Sequence, residues 1–185
     1  MATHLSDVMT TLLTTSSFSP LTPSTLRGRV RCDIAVVSVA AADNDADLYP
    51  VIRMRNTARI ISIQVQNTAI TSGTDYDLGL YAGNAGGTVS APNWNQTAGT
   101  LITSAADVLW DGQSMASART GVNLLGTGTD GAAAGTTNFG KPLYTIAGIT
   151  TAPDPGILYD IVLTANTVGS AAGTISFAFL YLAGD

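Results

Sequence analysis

The chain has 185 residues, of which 45% are hydrophobic and only 11% charged, with a net charge of −5 and a sequence pI near 4.5. That balance argues against nucleic-acid binding, which needs a basic surface to displace counterions from phosphate, and the length suits one domain of ordinary size. Glutamate is absent and lysine occurs once, at Lys141, while Thr, Val and Ile abound, so strands and loops are favoured over exposed helices.

Residues 1–26 are rich in Thr and Ser, and Pro20 and Pro23 suit neither a helix nor a central strand. The sequence therefore predicts an N-terminal arm over 1–26 and a single β domain over 27–185. Within the arm Leu5, Val8, Met9, Leu12 and Leu13 recur at helical spacing, predicting a short amphipathic helix that needs a neighbour to receive its apolar side. Leu5, Met9, Leu12 and Phe18 are its candidate contact residues. No basic flank leads into an apolar stretch, and the longest apolar run, 175–183, is far shorter than the roughly 18 residues of a membrane span. A soluble, non-exported protein with no membrane partner is expected.

From Arg27 the pattern has period two: Arg27, Arg29 and Arg31 fall on one side of a strand running to about residue 42, with Val30 and Cys32 on the other. Cys32 is the sole cysteine, which forbids an internal disulfide, and its Val/Ala-rich surroundings predict a buried small hydrophobe. A turn over 43–47 precedes two strands at 48–55 and 58–67, with Arg59, Ile61, Ile63, Val65 and Asn67 on one face. Another strand covers 75–81, with Tyr76, Leu78 and Leu80 alternating against smaller or polar residues. The stretch 101–110 fits helix or strand, with a strand favoured at 108–110 and Trp110 in the core. Residues 120–139, dominated by Gly, Thr and Ala, predict a long surface loop. Pro142 and Gly148 bracket a helical turn or two. Two strong strands at 157–165 and 174–182, joined by a hairpin-like link, close the domain.

Candidate chemistry is sparse. The only histidine, His4, lies in the arm, away from any nucleophile in the predicted core. Asp75 and Asp77 share a strand face as a potential carboxylate pair, with two solvated residues as the plainer reading. Asp43, Asn44, Asp45 and Asp47 imitate the start of a calcium loop, but Leu48 and Met54 stand where such a loop needs Gly and Glu, so an Asx-rich turn is expected. The glycines at 126, 128 and 131 match a dinucleotide-binding spacing without the strand and helix that would use it. Asn95 heads a glycosylation sequon that, on the expectation of no export, marks only an exposed loop. No enzyme, cofactor or metal is expected.

Six of the eight cations, Arg27, Arg29, Arg31, Arg53, Arg55 and Arg59, fall within one short span. Arginine suits bidentate pairing with carboxylates, either on a partner or on this chain's own aspartates. Low charge in a soluble chain further suggests a surface covered by neighbouring subunits.

The succession DYDLGLY (75–81), VLWDG (108–112), GKPLYTIAGI (140–149), DPGILYDIVLTA (154–165) and AAGTISFAFLYL (171–182) resembles small structural proteins of tailed-phage virions, of the capsid decoration or cement type. The resemblance spans most of 27–182. It implies a non-catalytic, mostly β protein and transfers no active-site residue. The resulting expectation is an all-β chain, a single antiparallel β-sandwich of jelly-roll type with one short helix and an extended N-terminal arm. It would sit on the capsid surface, after synthesis in the host bacterial cytoplasm, and contact the major capsid protein and copies of itself, with a trimer suggested by shell symmetry. Another virion part, such as a tail, connector or head-fibre protein, is the nearest alternative. A carbohydrate-binding sandwich using Trp94 as a stacking platform is the alternative of a different class.

Overall fold

The computed structural model describes residues 30–82, 107–125, 140–150 and 158–183. Eight strands follow in chain order: β1 (Val30–Val39), β2 (Asp47–Arg55), β3 (Arg59–Asn67), β4 (Asp75–Ala82), β5 (Trp110–Gln113), β6 (Arg119–Asn123), β7 (Leu158–Thr167) and β8 (Gly173–Leu182). One helical turn, α1 (Leu143–Ile146), lies between β6 and β7.

The antiparallel pairs β1·β8, β2·β7, β3·β6 and β4·β5 make the chain one long ribbon doubled back at β4 and β5. Rolling that ribbon adds the pairs β3·β8 and β4·β7, and two sheets result, ordered β1-β8-β3-β6 and β2-β7-β4-β5. This is the jelly-roll order, the β-sandwich expected from the sequence. Every connection except β4 to β5 crosses between sheets.

The core forms where the two inner faces meet. The first sheet contributes Val37, Val39, Ile60, Ile63, Val65, Ile175, Phe177 and Phe179, and the second Met54, Tyr76, Leu78, Leu80, Trp110, Tyr159, Ile161 and Leu163. Trp110 stacks on Phe177 with centroids 5.7 Å apart, and Phe177 on Phe179 at 5.8 Å. These rings fill space that two sheets about 10 Å apart leave between them. Trp110 is thus a core residue, as its apolar neighbours suggested.

One end of the sandwich is sealed by crossovers. Asn67, buried, donates its amide to the carbonyls of Thr68, Met115 and Ser117, at 2.7, 3.2 and 3.1 Å. The Ile70 N–H donates to the Met115 carbonyl at 2.9 Å and the Met115 N–H to the Gly73 carbonyl at 2.8 Å, while the buried Tyr76 hydroxyl donates to the Val168 carbonyl at 2.6 Å. Burial, with Asp43 and Asp45 nearby, pushes the Tyr76 phenol up to about 12. Gly169, at φ +94°, lies against Thr71 and Gly73 of the neighbouring crossover.

The expected turn at 43–47 is an Asx turn: Asp43 accepts from the Ala40 N–H and the Tyr49 hydroxyl, and Asp47 accepts from the Asn44 N–H, each at 2.8 Å. Asp45 reaches across to the Val168 N–H at 2.9 Å. The oxygens that imitate calcium ligands therefore tie the turn together.

Several expectations require correction. Cys32 is exposed, because even-numbered residues of β1 point away from the core and β1 is a sheet edge. β1 ends at Val39 instead of near 42. In β3 a bulge between Ile60 and Ser62 shifts the alternation, so Ile60, and not Ile61, joins Ile63 and Val65 inside while Arg59 is exposed. Residues 120–123, placed in a loop by their small and polar composition, belong to the edge strand β6. Trp110 opens β5, which runs on to Gln113 instead of ending at residue 110. The link after β7 is no hairpin, since β7 and β8 belong to different sheets. The arm and the stretches 83–106 and 126–139 lie outside the described residues.

Candidate functional site

At the other end of the sandwich, where the link from β2 to β3 crosses, β1 begins beside the end of β8 and β2 ends beside the start of β7. The chain therefore brings Arg31, Arg53 and Arg55 to one place. Together with Met54, Ala58, Leu158, Tyr181 and Ala183 they line an open depression of about 480 Å³.

The three guanidiniums differ in their surroundings. Arg53 stands directly across from Asp160 in the β2·β7 ladder, with Nε 2.5 Å and the terminal nitrogen 2.9 Å from the two carboxylate oxygens. This fork-to-fork pair raises the Arg53 pKa, through its hydrogen bonds to Asp160 first. Asp160 is buried while Arg53 is about half exposed. Arg31 faces Tyr181, whose hydroxyl donates to Asp33 at 2.6 Å. Burial and the Asp33 carboxylate hold the Tyr181 phenol above its ordinary value, against a smaller opposing effect of Arg31. Arg55 is exposed and makes no ion pair with another described residue. Arg59 lies outside the depression and donates to the Gly140 carbonyl at 2.8 Å.

Of the two roles expected for the cluster, the structure realises internal pairing at Arg53 and leaves Arg31 and Arg55 at the surface. Such a patch offers planar donors for a carboxylate beside the apolar Leu158, Met54 and Ala183, which suits a protein contact more than a reaction. Arg27, Arg29, Leu5, Met9, Leu12, Phe18 and Trp94 all lie outside the described residues. Sequence reasoning missed Asp160 although it carries a signal: a lone carboxylate inside the apolar run ILYDIVLTA must find a partner when that strand is buried. Tyr181 carries no comparable signal.

Truncating Arg53 to alanine is expected to lower stability by about 1–2 kcal/mol at neutral pH, because Asp160 stays buried without its donors. Water reaching the half-exposed pair keeps the loss below that of a fully buried one. Urea unfolding checks this; a loss under about 0.3 kcal/mol would show that solvent already satisfies Asp160.

Asp75 and Asp77 do share a face, and Asn166 bridges them at 3.3 and 2.6 Å. Asp77 is buried and also accepts the Gly112 N–H at 2.8 Å. Desolvation raises its pKa, while both of these bonds hold it down. One oxygen of Asp75 and both of Asp77 accept bonds that join β4, β5 and β7, so the pair reads as structural.

No family model matches the sequence, and no curated protein matches it. Among solved structures, the chain is similar to one described as "Capsid of Ralstonia phage GP4", at 16% identity and a TM-score of 0.54, covering 85% of this chain and 86% of that one. A looser likeness, at 14% identity and a TM-score of 0.41 over 85% and 86% of the two chains, is to "Cyanophage Pam1 capsid asymmetric unit". The first of these similarities establishes a shared fold.

Proposed function

We propose that this chain is a non-catalytic structural subunit of a tailed-phage virion that decorates or cements the capsid shell. Its partners would be the major capsid protein and further copies of itself, on the capsid surface. The observation that carries the reading is the eight-strand jelly roll, shared along 85% of the chain with a protein of a phage capsid. The fold alone hosts many functions, lectins among them, so the reading also rests on the surface. Arg31 and Arg55, exposed around an apolar floor on a chain of net charge −5, suit docking against acidic residues of a shell subunit. Many such contacts, repeated by symmetry, hold a shell without any one being strong.

Imaging of intact particles tests the proposal, with density for the sandwich expected outside the shell lattice. In a binding assay with shells lacking this protein, Arg31→Asp combined with Arg55→Asp is expected to weaken attachment at least about tenfold. Both residues are exposed, so stability should change by less than about 0.5 kcal/mol. Unchanged attachment at every salt concentration would remove the depression from the interface, and absence of the chain from particles would end the proposal.

A further inference from the structure

A sandwich of two open sheets has four edge strands, and each is a row of unpaired backbone groups able to recruit another chain unless something blocks it. Three are blocked here. β2 carries Pro50, which has no N–H, and a bulge between Pro50 and Ile52. β5 has four residues, one of them Gly112 at φ +60°. β6 has five, with Gly121 at φ +60° and an irregular register against β3.

β1 has none of these features. Its ten residues pair with β8 without interruption from Val30↔Leu182 to Val39↔Gly173, and among the described residues it has a partner strand on that side alone. Its outward side chains are also the wrong kind for a free edge: Val30, Ile34 and Val36 are 59%, 76% and 61% exposed, and Cys32 between them is exposed too. A long, unbroken, apolar edge is what a protein normally avoids unless another strand covers it.

We propose that β1 pairs antiparallel with β1 of a second copy of this chain across a two-fold axis, joining two sheets of four strands into one of eight. The strand's own sequence supports this occupant. Centring the pair on Asp33 would set two carboxylates opposite each other, and centring it on Cys32 would leave only Val30–Ile34 of β1 paired with β1. Centring it on Ile34 or on Ala35 pairs nine residues of each β1 and places no like charges opposite. In those two registers Ile34 faces Ile34 or Val36 of the partner copy, and Cys32 faces Val36 or Ser38. Arg31 and Asp33 lie opposite aliphatic residues of the partner in both. Branched side chains opposite one another on adjacent strands are favourable pairs. A two-fold joint links copies in pairs, and the trimer expected from the sequence would need a separate contact.

The inference does not depend on shell binding: a dimer that ignores shells would overturn only the proposed function, and a monomer that binds them would overturn only this pairing. Sedimentation equilibrium of the full chain is expected to show a concentration-dependent dimer. Ile34→Lys places two ammonium groups at the joint and should raise the dissociation constant at least about 100-fold. Its side chain is mostly in solvent, so circular dichroism should be unchanged. Gln64→Lys, exposed on the inner strand β3 of the same sheet, serves as control and should leave association as it is. For register, Cys32→Ser with Ile34→Cys and Val36→Cys should give a disulfide-linked dimer under mild oxidation. The natural Cys32 should not, its counterpart being about 13 Å or more away along the strand. A chain that stays monomeric at millimolar concentration, a dimer insensitive to Ile34→Lys, or crosslinking through Cys32 alone would each overturn the proposal.

Discussion

Replacing Trp110 with alanine is expected to lower the free energy of unfolding by about 3–5 kcal/mol, the range for removing a large ring from a closed core. Trp110 is fully buried and stacked on Phe177, so it joins the short edge strand β5 to the central strand of the facing sheet. β5 has four residues and two paired positions with β4, so little else in the ladder holds it. The cavity would be lined by strands too firmly paired to collapse into it. Trp110→Phe should recover most of the loss, because the indole Nε1 makes no hydrogen bond and its removal forfeits none. Urea unfolding followed by far-ultraviolet circular dichroism measures both variants. A loss under about 1 kcal/mol for the alanine variant would mean the ring is not enclosed between the sheets.

The second large effect is expected at Gly169. A Cβ there would lie 2.5 Å from the Thr71 carbonyl oxygen and 2.7 Å from the Gly73 nitrogen, both backbone atoms, at φ +94°. Neither the conformation nor the contact is available to a branched residue, so Gly169→Val should cost at least about 3 kcal/mol and reduce the yield of folded protein. Gly148 separates the two causes: it has φ +82°, but no atom lies within 4 Å of where its Cβ would stand. Gly148→Ala should therefore cost only the conformational part, about 1 kcal/mol. Equal losses at the two positions would show that the crossover yields and that packing at Gly169 is unimportant.

Strands are legible where burial imposes a period of two. Tyr76, Leu78 and Leu80 declare their face, and the apolar runs around Ile161 and Phe177 declare central strands. Sheet membership is not legible, because a short link of small residues looks alike whether it folds back as a hairpin or passes over the top of a sandwich. The bulge at Ile61 is hidden for a related reason: one inserted residue reverses the faces, and the sequence offers isoleucine at both 60 and 61. β6 escapes notice since an edge strand needs few apolar residues, and Cys32 is misplaced by the premise that an apolar strand face points inward.

The Arg cluster stands out in the sequence as the feature of interest, yet its partner does not. Asp160 lies 107 positions from Arg53, and only the pairing of β2 with β7 makes them neighbours. Arg31 reaches the same depression through β1·β8, a pairing that no local pattern encodes. Proximity across that many residues is a property of the rolled ribbon, not of any motif.

The zipper between β1 and β8 also governs when the molecule can become itself. Asp33 and Tyr181, bonded across it, stand 148 positions apart, so a nascent chain emerging from the ribosome carries half of a wall whose other half has not been made. Phe177, the ring against which Trp110 rests, arrives with that same late strand. Folding dominated by such distant closures is slow, and translation at about 5–20 residues per second leaves the early strands waiting for seconds. An unfinished polypeptide would thus carry a β1 with no neighbour on either side, and the sandwich can close only once β8 has been made.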